Sequence, residues 1–298
     1  MKIFYVDGPA VPLPEGHHFP MPKYALLVQA VAQAGLGPQA ELCLAEPASD
    51  EQLMLVHQPD YVRRVSQGLL TEKEMRRIGF PWSPEMVERS RRSVGATIAA
   101  CRAALADGMA ANLGGGTHHA YPDHGEGYCV FNDVAVAARL MQLEGRVQRV
   151  VILDCDVHQG NGTAAIFASD PSVFTFSVHG AKNFPFHKEK GSLDIALPDG
   201  SGDEAFLDAV SWGTAQALQA ADADLAFYIA GADPYSGDRL GRMAVTKEGL
   251  EQRDCLVLGQ CLSAGLPVVI VMGGGYSKNV QDIVDIHLRT IRIAVEFY

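Results

Sequence analysis

The sequence predicts an α/β protein, a parallel sheet buried on both faces with helices layered over it. Two observations predict this. Short runs rich in Val, Ile and Phe lack polar–apolar alternation, which marks strands covered on both sides. Longer segments with helical spacing separate them, as crossovers between parallel strands require. A chain of 298 residues, 48% hydrophobic and 20% charged, is long enough to fill such a core. No Pro-, Ser- or Gly-rich linker divides it, so one domain over residues 1–298 is expected.

Taken in order, the elements have these grounds. Residues 9–24 carry five prolines and should form an extended surface loop. Residues 83–108 are the clearest helix. Ser83 can cap it, Pro84 suits its first turn, and Val87, Val94, Ile98, Cys101 and Leu105 form an apolar stripe that ends at Gly108. The runs RVVILD (149–154), SVFTFSV (172–178), LAFYIAG (225–231) and LPVVIVMGGG (266–275) read as buried strands. Residues 202–222 and 246–265 read as helices, the second with Thr246 as N-cap and Gly265 just past its end.

Bulk properties narrow the function. Net charge is −11, which argues against a non-specific nucleic-acid binder because such binders need a basic footprint. The acidity is compatible with a cationic ligand, although most acidic proteins use charge for solubility. Six scattered cysteines, none in a C-x-x-C pair, suit a reduced cytoplasmic protein. The N-terminus lacks a signal-peptide pattern, and no apolar run reaches the roughly 20 residues of a membrane span. No internal repeat is visible.

In open parallel sheets the loops at the carboxyl ends of strands converge on the site. Those loops carry Asp154, Asp156 and His158, then Ser177 and His179, then Asp233, then GGGY ending in Tyr276, and GGGTHH with His118 and His119. In the D-x-D-x-H run, alternate residues of an extended segment face one side. Three such groups together stay repelled or unpaired without a cation. Asp156, His158 and Asp233 could therefore hold one divalent metal with an open position; zinc, Fe2+, Co2+ or Mn2+ all suit this donor set. The adjacent His118 and His119 can act as general base and partner. Tyr276 can offer a phenol to an oxyanion. His17–His18, His57, His124, His179, His187 and His287 are read as structural, since a pocket needs several convergent groups.

With these residues in view, the chain resembles the histone deacetylase superfamily. The segments that carry the resemblance are HQPDYV (57–62), GGGTHHA (114–120), GYCVFND (127–133), DCDVHQGNGT (154–163), FSVHG (176–180), AGADP (230–234) and GGGY (273–276), in the family's order. HHFPMPKY (17–24) and residues 77–97 look like the class IV, eleventh-type branch and its bacterial relatives. The resemblance implies a three-layer α/β/α fold of the arginase/deacetylase type, with a central, mostly parallel eight-stranded sheet. It implies a zinc-dependent amidohydrolase with Asp156, His158 and Asp233 as metal ligands. His119 then matches the general base and acid, His118 its electrostatic partner, and Tyr276 the donor to the substrate carbonyl. Asp154 matches a residue that orients His118 and, with Ser177, binds a structural potassium ion. Gly127 and Tyr128 match one wall of the acyl-lysine channel, and Phe184 the opposing wall.

Two positions depart from the best-studied branch. Asn161 stands where class I members carry an aspartate behind the second histidine, which should lower the pKa of His119. Tyr128 stands where many members have Phe, and narrows or polarises the channel. The implied substrate is an acylated lysine in a peptide or protein, with long acyl chains included. A small acylated amine such as an acetylpolyamine is the enzymatic alternative, although the chain shows no obvious acidic gating residue or insert. Ureohydrolysis on two manganese ions would need more bridging ligands than one D-x-D-x-H run supplies. A non-enzymatic acyl-binding module would be expected to lack a ligand or the tyrosine, and none is missing.

Overall fold

The apolar runs become the middle of one sheet. The structure is a computed structural model that describes residues 1–8 and 10–298; Pro9, the first residue of the predicted loop, lies outside the described residues. The chain runs β1 (Lys2–Tyr5), α1 (Lys23–Gln33), β2 (Glu41–Leu44), α2 (Asp50–Leu53), α3 (Pro59–Gln67), α4 (Glu72–Ile78), α5 (Pro84–Asp107), β3 (Met109–Asn112) and α6 (Asp133–Leu143). It continues β4 (Val150–Asp154), α7 (Asn161–Phe167), β5 (Val173–Gly180), β6 (Leu193–Leu197), α8 (Asp203–Ala221), β7 (Leu225–Ile229), α9 (Lys247–Ser263), β8 (Val268–Val271) and α10 (Val280–Phe297). The eight strands form one sheet in the order β2-β1-β3-β8-β7-β4-β5-β6, and every pairing is parallel.

Alternation along the strands divides the core in two. Ile152, Phe227, Ile229, Val269 and Val271 face one layer, with Val94 and Ile98 of α5 and Val134 of α6. Val151, Leu153, Tyr228, Val268 and Ile270 face the other, with Leu27 of α1, Val210 of α8, Val257 of α9 and Ile291 of α10. The result is the three-layer α/β/α architecture, with helices on both faces as an all-parallel sheet demands.

Local signals set the helix ends. Ser83 Oγ accepts from Met86 N (3.1 Å) at the start of α5, and Thr246 Oγ accepts from Gly249 N (2.9 Å) at the start of α9. The proline-rich segment differs from expectation. Its described residues before Lys23 form no helix or strand, but Lys23 and Tyr24 open α1, and the segment is not merely a surface loop: Val11 and Phe19 are buried. His17 fastens it, accepting from Phe19 N at Nδ1 (3.1 Å) and reaching Gly79 O through Nε2 (2.9 Å). Prolines remove backbone donors but do not stop the apolar side chains between them from packing. Among the described residues, no helix is long and apolar enough to cross a membrane.

Candidate active site

Four strands that are neighbours in the sheet, β3, β8, β7 and β4, end on the same side. The loops after them deliver His118 and His119, Tyr276, Asp233, and the Asp156–His158 pair. Asp156, His158 and Asp233 are all buried, and one donor atom of each lies within 4.8 Å of the others. His158 Nδ1 sits 3.0 Å from Asp156 Oδ1 and 3.1 Å from Asp233 Oδ2. The outer carboxylate oxygens are already held by backbone: Gly274 N donates to Asp156 Oδ2 (2.7 Å) and Val157 N to Asp233 Oδ1 (2.9 Å). The inner oxygens and the imidazole nitrogen are thus fixed and aimed at one point. Gly274 has to be glycine, because a Cβ there would lie 1.9 Å from Asp233 Oδ2.

The electrostatics of this cluster call for a cation. Burial and then the Asp156 charge push Asp233 up to about 7. Burial opposes ionisation of Asp156 too, but His118 and His158 outweigh it and hold that carboxyl well below the usual range. Burial disfavours the His158 cation, yet Asp233 and Asp156 push it up to about 10. Two carboxylates and one imidazole are competing for positive charge in a dry place, and a divalent ion satisfies all three at once.

The two adjacent histidines have separate supports. His118 Nδ1 donates to Asp154 Oδ2 (2.7 Å), and His119 Nδ1 donates to Asn161 Oδ1 (2.6 Å). Their rings are 4.1 Å apart between centroids. Burial works against the His118 cation, but Asp154 and Asp156 prevail and push it up to about 9. His119 goes the other way, well below the ordinary value, through burial first and then the His118 and His158 charges. The sequence pointed to Asn161 for a lower value than an aspartate there would give; in the structure the Asn161 hydrogen bond itself acts upward, and burial is the main cause of the lowering. Asn161 in turn donates to Tyr121 Oη (3.2 Å), which donates to Glu189 (3.0 Å). Burial and then the Asp233 and Asp156 charges raise the Tyr276 phenol well above its usual value, so it keeps its proton.

A cavity of about 380 Å³ leads to this cluster, and His119, Gly127, Tyr128, His158, Phe184 and Tyr276 all line it. Gly127 has φ +55°, and a Cβ there would meet His119 Cδ2 at 2.7 Å and Phe184 Cε1 at 3.0 Å. Tyr128 also has positive φ (67°) and donates its N–H to Ile78 O (2.6 Å). That strained turn puts its ring 5.7 Å from the Tyr276 ring. Asp154 lies in register with Ser177 across β4 and β5, and both border a void of about 10 Å³. Ser177 Oγ pairs with His179 Nδ1 (2.9 Å). His57 and His287 are buried away from the cavity lining, His124 pairs with Asp123 (2.6 Å), and His187 is exposed.

Some residues around Tyr276 escaped the sequence reading. Lys23 is 4% exposed; its Nζ donates to Gly275 O (3.1 Å) and lies 5.2 Å from the Tyr276 ring centroid. A signal was present: Lys23 shares one helical face with the buried Leu27 and Val31 at i+4 and i+8. Asp238 accepts the Tyr276 N–H, and Arg239 Nε donates to Tyr276 O (2.8 Å). No local pattern marked these two, because they meet Tyr276 only after folding.

Comparison with known proteins agrees with this fold. Residues 17–291 match the family model described as the histone deacetylase domain. An uncharacterized protein of Picosynechococcus sp. is 45% identical over 296 residues, 99% of each chain. The histone deacetylase-like amidohydrolase of Pseudomonas aeruginosa is 32% identical over 263 residues, 82% of this chain and 68% of that one. The crystal structure of an HDAC homolog from Aquifex aeolicus superposes with a TM-score of 0.84 at 23% identity, covering 99% of this chain and 83% of that one. This last likeness is one of fold.

Proposed function

The chain belongs to the histone deacetylase domain family, and from that premise we propose that it is a metal-dependent amidohydrolase that removes acyl groups from lysine side chains. The observation that carries the reading is the convergence of Asp156, His158 and Asp233 beside His118, His119 and Tyr276 at the base of one cavity. The proposal takes residues 1–298 as one catalytic unit, with a small acylated amine as the alternative substrate.

Asp156, His158 and Asp233 would hold the metal; zinc fits the oxygen and nitrogen donors, and Fe2+ or Co2+ can replace it. Such an ion supplies Lewis acidity to an amide carbonyl and to water. His119 is the general base. Its Nδ1 is committed to Asn161, which leaves Nε2 free to take a proton from the attacking water and return it to the leaving amine. His118, fixed by Asp154, carries the neighbouring positive charge. Tyr276, protonated at any working pH, donates to the oxyanion of the tetrahedral intermediate. Gly127, Tyr128 and Phe184 enclose the acyl-lysine stem and exclude water. A structural potassium ion at Asp154 and Ser177 belongs to the same reading.

The test is hydrolysis of acetyl-, octanoyl- and myristoyl-lysine peptides by the zinc-loaded protein, beside N-acetylspermidine and a metal-stripped control. Metal-dependent peptide cleavage is the expected result, and the chain-length profile reports the depth of the cavity. Cleavage of acetylspermidine alone moves the substrate to small amines. No turnover of any of them by the metal-bound protein overturns the reading.

A further inference from the structure

The cavity mouth is opposite in sign to the net charge of the chain. Arg76 and Arg77 from the last turn of α4, Lys182 from the loop after β5, and Arg242 from the loop before α9 all line it. No Asp or Glu does. This is a chain with 35 acidic and 24 basic residues, so four cations without a carboxylate at one opening run against its composition. All four are exposed.

Two of the four have a carboxylate partner, and neither partner lines the cavity. Arg76 faces Glu72 at 3.3 Å and Arg242 faces Asp199 at 3.0 Å, both weak exposed pairs. Among the described residues, no carboxylate pairs with Arg77 or Lys182. Asp238 is half-buried and spends its carboxylate on the backbone N–H groups of Leu240, Gly241 and Tyr276. Glu189 is engaged by Tyr121, and Glu126 by His124. The exposed Phe186 adds an apolar ring to the same mouth.

We propose that the mouth selects acylated amines with anionic surroundings, namely an acyl-lysine flanked by Asp or Glu in a peptide, and disfavours cationic ones such as basic peptide tails or acetylpolyamines. This rests on the proposed deacylase function and names its substrate class. A cleft lined by one sign of charge raises the local concentration of oppositely charged substrate and its rate of association. Arg adds bidentate hydrogen bonds to carboxylates, so the flanking acids are held as well as attracted. The acyl chain enters between Tyr128 and Phe184, while the flanks remain at the rim where the four cations stand.

The experiment compares kcat/KM for three acetyl-lysine peptides of equal length, with acidic, neutral or basic flanks, and for N-acetylspermidine. The acidic peptide is expected to exceed the basic one by about tenfold or more at low salt. That ratio should shrink as ionic strength rises from about 0.02 M to about 0.5 M. Arg77→Glu with Lys182→Glu, at two exposed side chains that make no ion pair among the described residues, should reverse the order. Equal turnover of acidic and basic peptides, or an order untouched by the reversals, overturns the proposal while leaving the deacylase reading intact. Failure to cleave any peptide overturns the deacylase reading instead. Binding of the same labelled peptides, read by fluorescence anisotropy, then decides the rim: tighter acidic binding supports the proposal, and equal or tighter basic binding overturns it.

Discussion

The amide of Asn161 gives His119 an acceptor without a charge, and the consequence is chemical. A carboxylate at that place favours the imidazolium form, so Asn161→Asp should raise the His119 pKa. A general base works only when neutral, so if His119 has the proposed role, the acidic limb of the kcat/KM–pH profile should move to higher pH. An unchanged limb would remove His119 from the base role. Asp156→Asn takes a charge from the cluster proposed to hold the cation. Metal content after dialysis should fall, and turnover should drop by at least roughly 100-fold. Tyr276→Phe keeps the ring packing but removes the donor, and should lower kcat by about 100-fold or more while metal stays bound. Full activity in both variants would sink the residue assignment.

At the scale of elements, the site depends on helices that contribute none of its proposed catalytic residues. Arg253 of α9 is completely buried; it donates to Gly231 O, in the loop that delivers Asp233, and to Asp254. Asp254 also accepts from Tyr228 of β7 and from Thr290 of α10 (2.6 Å). One ion pair thus ties two helices to the strand and to the Asp233 turn. Arg253→Met leaves Asp254 and the Gly231 carbonyl without that partner, and should cost about 3–5 kcal/mol of stability, read by urea unfolding. The Gly127 turn is the second case. Gly127→Ala forces a Cβ against His119 and Phe184 at an unfavourable φ, so both stability and kcat should fall, the former by about 1–2 kcal/mol. A fully active, equally stable Ala variant would mean that the wall yields.

Over the whole molecule, pH acts on stability through histidines far from the chemistry. His57 is buried, with Nδ1 donating to Tyr121 O (3.0 Å) and Nε2 accepting from Asn132 N (2.9 Å), so the fold holds it neutral. Burial lowers its pKa from 6.5 to about 4. Above 6.5 it is neutral folded or unfolded and adds no pH dependence. Between 6.5 and about 4 the unfolded chain binds a proton that the folded one refuses, so stability falls as pH falls. The loss approaches about 3 kcal/mol at the bottom of that window. His57→Gln, which offers a donor and an acceptor but does not titrate there, should flatten the unfolding free energy between those pH values relative to the parent. Parallel curves would exclude His57. Charge shows the same separation of scales: net charge −11 describes the surface as a whole, while four cations describe the mouth.

Strands β4, β5, β7 and β8, the long helix of residues 84–107 with its Ser83 cap, and the metal-capable side chains of Asp156, His158 and Asp233 were legible in the sequence. Buried strands need continuous apolar runs, and a helix needs a cap and a stripe, so local chemistry writes them locally. Tertiary structure alone decided that β3, β8, β7 and β4 stand side by side, because strand order depends on which crossovers pack and no segment records its neighbour. It also decided that the proline-rich segment folds inward on His17 and that Lys23 lies over Tyr276. The sign of the cavity mouth came from three segments far apart in the chain, at 76–77, 182 and 242, where a linear reading sees only scattered charges in an acidic protein. Sequence fixes what each residue can do; only folding brings side chains within the few ångströms over which charge and hydrogen bonds act.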